Sequence, residues 1–101
     1  MYRGTSPTIT VDTDTDLTRA QYVVVTIEDF NGNEVSVDSQ SGNLSITPTA
    51  VMAKFTQEQT LALTKGKIQM QIRAVDKSGN AIASNIMTSK LDDVLKDGVI
   101  P

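Results

Sequence analysis

Three aspartates at alternate positions have the spacing in this sequence that is most typical of metal chemistry. Asp12, Asp14 and Asp16 repeat the D-x-D-x-D pattern that opens an EF-hand calcium loop, where hard oxygen ligands converge on one ion. Leu17 stands where that loop requires glycine, and Val23 stands where it requires a bidentate glutamate, so an EF-hand is excluded. Two interpretations stay open: ligands of a looser calcium site between sheets, or solvated carboxylates at a strand end.

The commonest groups of acid–base and nucleophilic catalysis are missing from this sequence, although carboxylate pairs and Ser-Lys pairs remain available. The 101 residues include no histidine and no cysteine, so Ser-His and Cys-His nucleophile pairs are absent from the sequence. Glu28, Asp29 and Glu34 flank one predicted turn, where acidic residues are usually exposed. The glycines are dispersed at turns and form no phosphate-binding loop. We therefore expect a protein that is not an enzyme and that has no cofactor.

Charge and composition narrow the expected partners. The net charge is −3, and Lys and Arg are not clustered as they are in proteins that bind nucleic acid. The four aromatic residues are scattered and supply no base-stacking platform. The N-terminal residues contain no apolar signal-peptide core, and no apolar run approaches the length of a membrane span. We expect no signal peptide and no nucleic-acid, membrane or small-molecule partner.

Two hairpin signatures, FNGN at residues 30–33 and DKSGN at residues 76–80, lie between runs of alternating apolar and polar residues. Alternation is typical of strands, and Asn-Gly or Ser-Gly supplies the positive φ of a tight turn. The clearest alternation is Ile68, Met70, Ile72 and Ala74, and a bulge is predicted at Ser84-Asn85. The predicted strands cover residues 8–13, 22–30, 34–38, 44–46, 51–55, 68–74 and 81–88.

A short helical turn is predicted after Thr56. The T-x-x-Q spacing of Thr56 and Gln59 is that of a capping box, in which each residue bonds the other's backbone. The turn is expected to run to about Leu63 and to stop near Gly66. Leu61 or Leu63 would then close one end of the core.

A second short helix is predicted at the C-terminal end. Leu91, Val94 and Leu95 lie at helical spacing, and Gly98 follows as a stop signal. Such a short helix is marginal alone and must dock on the domain or on a partner.

Together these elements predict one domain over residues 1–101. We expect an all-β fold, namely an immunoglobulin-like antiparallel β-sandwich of about seven strands, with the turn after Thr56 and the short C-terminal helix. Residues 1–7 are expected to form a loose N-terminal arm, and residues 91–101 a helical tail. A small barrel uses the same alternation and stays open as an alternative.

The sequence resembles small proteins of about a hundred residues encoded among the virion genes of tailed phages and prophages of Gram-positive bacteria. The stretches that carry the resemblance are RGTSPT at 3–8, FTQEQT at 55–60, QMQIRA at 69–74, ASNI at 83–86 and VLKDGV at 94–99. Relatives often place a histidine where this chain has Ile9. More loosely, the strand order is similar to that of the immunoglobulin-like N-terminal domain of phage baseplate upper proteins.

This resemblance implies a non-catalytic structural or assembly protein of a virion, of the tail or baseplate type, assembled in the bacterial cytoplasm. Its partners would be other virion proteins or further copies of itself. The contact residues that we expect are Arg3, Thr5, Leu91, Val94, Leu95 and Ile100. Two alternatives are a carbohydrate-binding or adhesion module, with or without calcium at the three aspartates, and a prophage regulatory protein.

Overall fold

The alternating segments form strands in two antiparallel sheets, which a computed structural model describes for residues 1–83 and 86–101. The elements in chain order are β1 (Thr8–Asp12), β2 (Tyr22–Asp29), β3 (Glu34–Asp38), β4 (Leu44–Ile46), β5 (Ala50–Lys54), α1 (Gln57–Leu61), β6 (Gly66–Val75), β7 (Ala81–Ala83) and β8 (Met87–Leu91). The run predicted as one strand over residues 81–88 is thus two strands. The bulge predicted at Ser84-Asn85 lies outside the described residues.

The core lies between the sheets because alternate residues of the central strands point inward. Val23, Val25 and Ile27 of β2 are fully buried, and Val51 and Ala53 of β5 are fully buried opposite them. Burial of a valine or isoleucine side chain stabilises the fold by about 1.5–3 kcal/mol. The alternation that predicted the strands therefore also identifies the residues that hold the sheets together.

The strand order is that of an immunoglobulin sandwich without its first strand. One sheet has the order β1-β5-β4, and the other has β3-β2-β6-β7, with β8 also paired to β6. These orders correspond to strands B-E-D and C′-C-F-G of the immunoglobulin fold. Strand A of that fold lies beside B, and among residues 1–83 and 86–101 no strand pairs with β1 on that side. The predicted antiparallel sandwich is confirmed, and the two separate sheets distinguish it from a barrel.

The predicted capping box begins helix α1. The Thr56 hydroxyl accepts a hydrogen bond from Gln59 N–H at 3.2 Å, and Gln59 Oε1 accepts one from Thr56 N–H at 2.9 Å. The helix ends at Leu61, and Leu63 is buried at the end of the core. The sequence predicts that the helix stops near Gly66, but Gly66 does not cap it. Gly66 instead begins β6, with a φ of 120° beside the Phe30 ring.

The predicted C-terminal helix is wrong, because residues 92–101 form no helix. Leu91, the first residue of the helical pattern, is instead the last residue of β8 and pairs with Gly66. A long-range strand pairing of this kind overrides a local helical spacing of only three residues. Leu95 consequently has no apolar surface to cover it and is fully exposed.

A buried carboxylate holds the β2–β3 hairpin. Asp29 Oδ1 accepts hydrogen bonds from the N–H groups of Asn31 and Asn33, both at 2.9 Å. Asp29 Oδ2 accepts bonds from Asn33 Nδ2 at 3.0 Å and from Thr64 N–H, outside the hairpin, at 2.7 Å. The sequence predicts that this side chain is exposed, but Asp29 is only 4% exposed. Burial raises the pKa of Asp29, but the four hydrogen bonds outweigh burial and lower it to about 2.

The second predicted hairpin repeats this arrangement at the surface. Asp76 Oδ1 accepts hydrogen bonds from Ser78 and Asn80 N–H at 2.9 Å, and Asp76 Oδ2 accepts one from Asn80 Nδ2 at 3.3 Å. In both hairpins the glycine has a φ of 86°, as a three-residue loop with a bulge requires. Asp76 is exposed, and the described residues that hydrogen-bond its carboxylate all belong to its own loop. The two aspartates thus differ mainly in burial and in the bond from Thr64.

Replacing Asp29 by asparagine should lower the free energy of unfolding by about 2–3 kcal/mol, because an amide NH₂ would face N–H donors in a buried site. Asp76→Asn is the matched control, since the loop is the same but the carboxylate is exposed, and we expect a much smaller loss. Urea denaturation of both variants measures the difference. Equal losses would contradict a special role for the buried carboxylate.

The same carboxylate predicts a pH dependence. Because its folded pKa of about 2 lies below the unfolded value near 3.8, Asp29 stabilises the protein above pH 3.8. This contribution is lost as the pH falls through about 2. The unfolding free energy of the wild type should therefore fall more steeply between pH 4 and pH 2 than that of Asp29→Asn. Parallel curves for the two proteins would contradict the assignment.

Candidate functional site

Arg3 connects the two chain termini to helix α1. Its Nε donates to Leu63 O at 2.8 Å, its Nη2 donates to Leu61 O at 2.9 Å, and its Nη1 donates to Asp93 Oδ1 at 2.7 Å. The first two acceptors are carbonyls at and beyond the helix C-terminus, where a cation is favourable. The Arg3 side chain is 16% exposed. The guanidinium group thus acts inside the molecule, and hydrogen bonding to it lowers the pKa of Asp93.

Residues 1–7, which were expected to form a loose arm, are tied to the domain by hydrogen bonds to their backbone. Tyr2 forms a parallel bridge with Asp92, in which Arg3 N–H donates to Asp92 O at 2.8 Å and Asp92 N–H donates to Met1 O at 2.7 Å. The buried Thr60 hydroxyl donates to Thr5 O at 2.9 Å. We call Arg3 and the residues that it bonds, namely Leu61, Leu63 and Asp93, the terminal clamp.

The end of the chain is held at one more point. Gln57 Nε2 donates to Ile100 O at 3.1 Å, and Ile100 N–H donates to Gln57 Oε1 at 2.9 Å, as two paired backbone strands would do. Between this contact and the clamp, Val94 is half-buried beside Gly4. The backbone of the C-terminal segment is therefore fixed at both ends.

Three large apolar side chains of this segment nevertheless face solvent. Leu95 is fully exposed, Val99 is 54% exposed and Ile100 is 56% exposed. We call these residues the C-terminal apolar group. Single exposed apolar residues are ordinary, but three within six residues of an anchored segment form a candidate contact surface.

The six contact residues predicted from the sequence therefore separate into three groups by their burial. Arg3 and Leu91 serve the interior, since Arg3 forms the clamp and Leu91 is 1% exposed. Val94 is half-buried. Thr5, Leu95 and Ile100 are exposed, although the Thr5 hydroxyl donates to Tyr2 O. Val99 was not predicted, although it is an apolar residue in the same polar segment.

The three aspartates of the D-x-D-x-D pattern do not converge on one point. Within residues 1–83 and 86–101, no group of three or more acidic, His or Cys side chains is placed to hold a metal ion. Asp16 Oδ1 instead accepts hydrogen bonds from the Thr18 hydroxyl at 2.6 Å and Thr18 N–H at 2.9 Å, which lower the pKa of Asp16. Asp16 is thus engaged in its own loop, by hydrogen bonds to Thr18.

A cleft of about 370 Å³ separates the end of β1 from β7 and β8. Its apolar lining comes from both sheets and includes Val11, Leu17, Ile72, Ile82 and Met87. Its acidic edge is formed by Asp12 and Asp14. Sequence reasoning missed this cleft because only the strand order places residues 11–17 beside residues 72–87.

Comparison of the chain with protein-family models, with curated proteins and with solved structures finds no match. In the part of the chain that the structure describes, no helix is long and apolar enough to cross a membrane.

The terminal clamp predicts that arginine geometry, and not charge alone, is required at position 3. Arg3→Lys keeps the charge but cannot reach two carbonyls and a carboxylate at once, so we expect the unfolding free energy to fall by about 1–3 kcal/mol. Arg19→Lys, at an exposed arginine outside the clamp, should have almost no effect. Thermal or urea unfolding measures both, and an Arg3→Lys variant as stable as Arg19→Lys would disprove the clamp.

Proposed function

We propose that this protein is a non-catalytic structural or assembly protein of a tailed-phage virion, of the tail or baseplate type, that works through protein–protein contacts. The observation that carries the proposal is the C-terminal apolar group, whose side chains the fold leaves in water. The resemblance of residues 3–8, 55–60, 69–74, 83–86 and 94–99 to small virion-gene products supplies the phage setting. The lack of histidine and cysteine in the sequence supports a role in contact rather than catalysis.

The apolar group is suited to contact because burying it in a partner is favourable. Full burial of a leucine, valine or isoleucine side chain gains about 1.5–3 kcal/mol; Leu95 has all of that gain still available, and Val99 and Ile100 have about half of it. A sandwich core does not need these residues, since it is already closed at this end by Phe55 and Leu63.

Anchoring of the segment favours binding further. Association loses less conformational entropy when a contact segment is already held in one conformation. Here the Tyr2–Asp92 backbone bridge and the Gln57–Ile100 hydrogen bonds fix the backbone on either side of Leu95 and Val99. The segment can therefore present its apolar side chains without first becoming ordered.

The proposal predicts that the triple variant Leu95→Ser, Val99→Ser, Ile100→Ser folds normally but is lost from virions. Phage carrying the wild-type or variant gene would be purified, and the protein would be quantified in the particles by mass spectrometry. We expect several wild-type copies per virion and at least a tenfold reduction for the variant, which corresponds to a loss of about 1.4 kcal/mol or more. Thermal unfolding of the purified variant checks its fold.

Ile86→Ser is the matched control, because Ile86 is equally exposed but lies outside the C-terminal segment. It should be incorporated like the wild type. Absence of the wild-type protein from virions would overturn the virion role, whereas unchanged incorporation of the triple variant would overturn the apolar group as the contact. Saturable calorimetric binding of a cell-wall glycan would instead favour an adhesion module.

A further inference from the structure

Strand β1 presents a row of unpaired backbone groups on the side away from β5. Thr13 N–H donates to Thr49 O, and Phe55 N–H donates to Pro7 O. The backbone groups of the odd-numbered residues between positions 7 and 13 therefore point toward β5. In an antiparallel pair the intervening residues point their N–H and C=O groups to the other side. These residues are Thr8, Thr10 and Asp12, and no hydrogen bond to these groups is made within residues 1–83 and 86–101.

The edge of the larger sheet at β3 is protected. By the same alternation, Glu34, Ser36 and Asp38 of β3 point their backbone groups outward. Gln59 Nε2 of helix α1 donates to Ser36 O at 3.0 Å, and Glu34 and Asp38 place charges at either end. Edge charges and a covering element are the usual means of preventing strand addition. The centre of β1 carries only the threonines Thr8 and Thr10 on its outer face.

The cleft lies where the inward side chains of an added strand would go. A strand beside β1 would direct alternate side chains over Ile72 and Ala74, which form the floor of the cleft on β6. The Thr13 hydroxyl in this cleft is buried and has no hydrogen-bond partner within the described residues. A buried polar group without a partner is uncommon in a complete structure.

Charge determines which strand fits. Asp12 and Asp14 are exposed, and neither forms a salt bridge with the described residues. A lysine or arginine directly opposite Asp12 on the outer face would form a favourable cross-strand pair. An added antiparallel strand would thus have a basic residue opposite Asp12, polar residues opposite Thr10 and Thr8, and apolar residues between them.

A second copy of this chain fits poorly. Pairing of two β1 edges would bring the Asp12 and Asp14 carboxylates of two chains, each with a net charge of −3, to one seam. The C-terminal segment of a second copy fits no better as the added strand. If its Lys96 lay opposite Asp12, the next residue, Asp97, would point into the apolar cleft.

We propose that β1 receives an extended, cationic segment of a different protein, which completes the sheet as a fourth strand and fills the cleft. The segment runs antiparallel to β1. From its N-terminal end it has a basic residue opposite Asp12, then an apolar, a polar, an apolar and a polar residue, the last of them opposite Thr8. This inference goes beyond the virion role, because it concerns a separate surface and holds in any cellular setting. Main-chain hydrogen bonds supply affinity in such strand addition, and alternate side chains supply specificity.

The test uses the acetylated and amidated peptide Thr-Val-Lys-Val-Thr-Val-Thr with the full-length protein. Titration followed by amide NMR should show saturable binding in the micromolar to millimolar range, with shifts at Thr8, Thr10 and Asp12. The peptide with Glu in place of Lys should bind about threefold to tenfold more weakly. An isomer with the same composition but no alternation, Val-Val-Lys-Thr-Thr-Thr-Val, should not bind.

Two variants test the register. Asp12→Lys should reverse the preference, so that the Glu peptide binds more tightly than the Lys peptide. Thr10→Pro removes an outward N–H and leaves the β1–β5 bonds, so it should weaken binding at least tenfold with little loss of stability. Ser36→Pro is the matched control on the β3 edge and should bind the Lys peptide normally.

Three outcomes would overturn the proposal: no saturable binding of the Lys peptide, shifts that leave β1 unaffected, or an Asp12→Lys variant with unchanged preference. A protein dimer in sedimentation velocity that Thr10→Pro dissociates would assign the edge to a second copy and would also overturn it. None of these results bears on virion incorporation, so the two proposals fail separately.

Discussion

The pairing of β2 with β6 is the constraint on which the rest of the structure depends. The two strands pair from Tyr22↔Val75 to Asp29↔Ile68, and a slip by one residue would turn every inward side chain of one strand toward solvent. Within residues 1–83 and 86–101, β3 is paired to β2, and β7 and β8 are paired to β6. The larger sheet is therefore one well-specified pair with β3 on one side and β7 and β8 on the other, and the register of the central pair fixes theirs.

The same pair also fixes the end of the molecule where the termini meet. Asp29 ends β2 and accepts the Thr64 N–H just before β6 begins, so one carboxylate links the hairpin to the incoming strand. Leu63 is thereby held over the core, and the Leu63 carbonyl is available to Arg3. The clamp on both termini is a consequence of how β6 enters the sheet, and not of any property of the terminal residues alone.

The sequence predicts what depends on local periodicity and misses what depends on strand order. Alternation located the strands, and the spacing of Thr56 and Gln59 located α1, because both signals act over a few residues. The helical spacing after Leu91 failed because Leu91 bonds a strand 25 positions away in the chain, at Gly66. Arg3 was expected at a partner surface for the same reason: the carbonyls that it binds follow α1 and cannot be identified from residues 1–7. The cleft and the free edge of β1 likewise exist only once the sheets are assembled.

The two sheets cover each other's inner faces unequally, and this explains where the protein has surface available for binding. Five strands face three, and the cleft opens beside β1 over the inner face of β6 at Ile72 and Ala74, where Leu17 and Val11 also line it. At the opposite end, Phe55, Thr60 and Leu63 are fully or nearly fully buried, and the termini are bonded over them. A domain of this size has little excess stability, so an incomplete sheet is tolerable only if the remaining core is well packed. The end of the core that contains Phe55, Thr60 and Leu63 meets that requirement. The β1 edge is therefore available for contact with a partner.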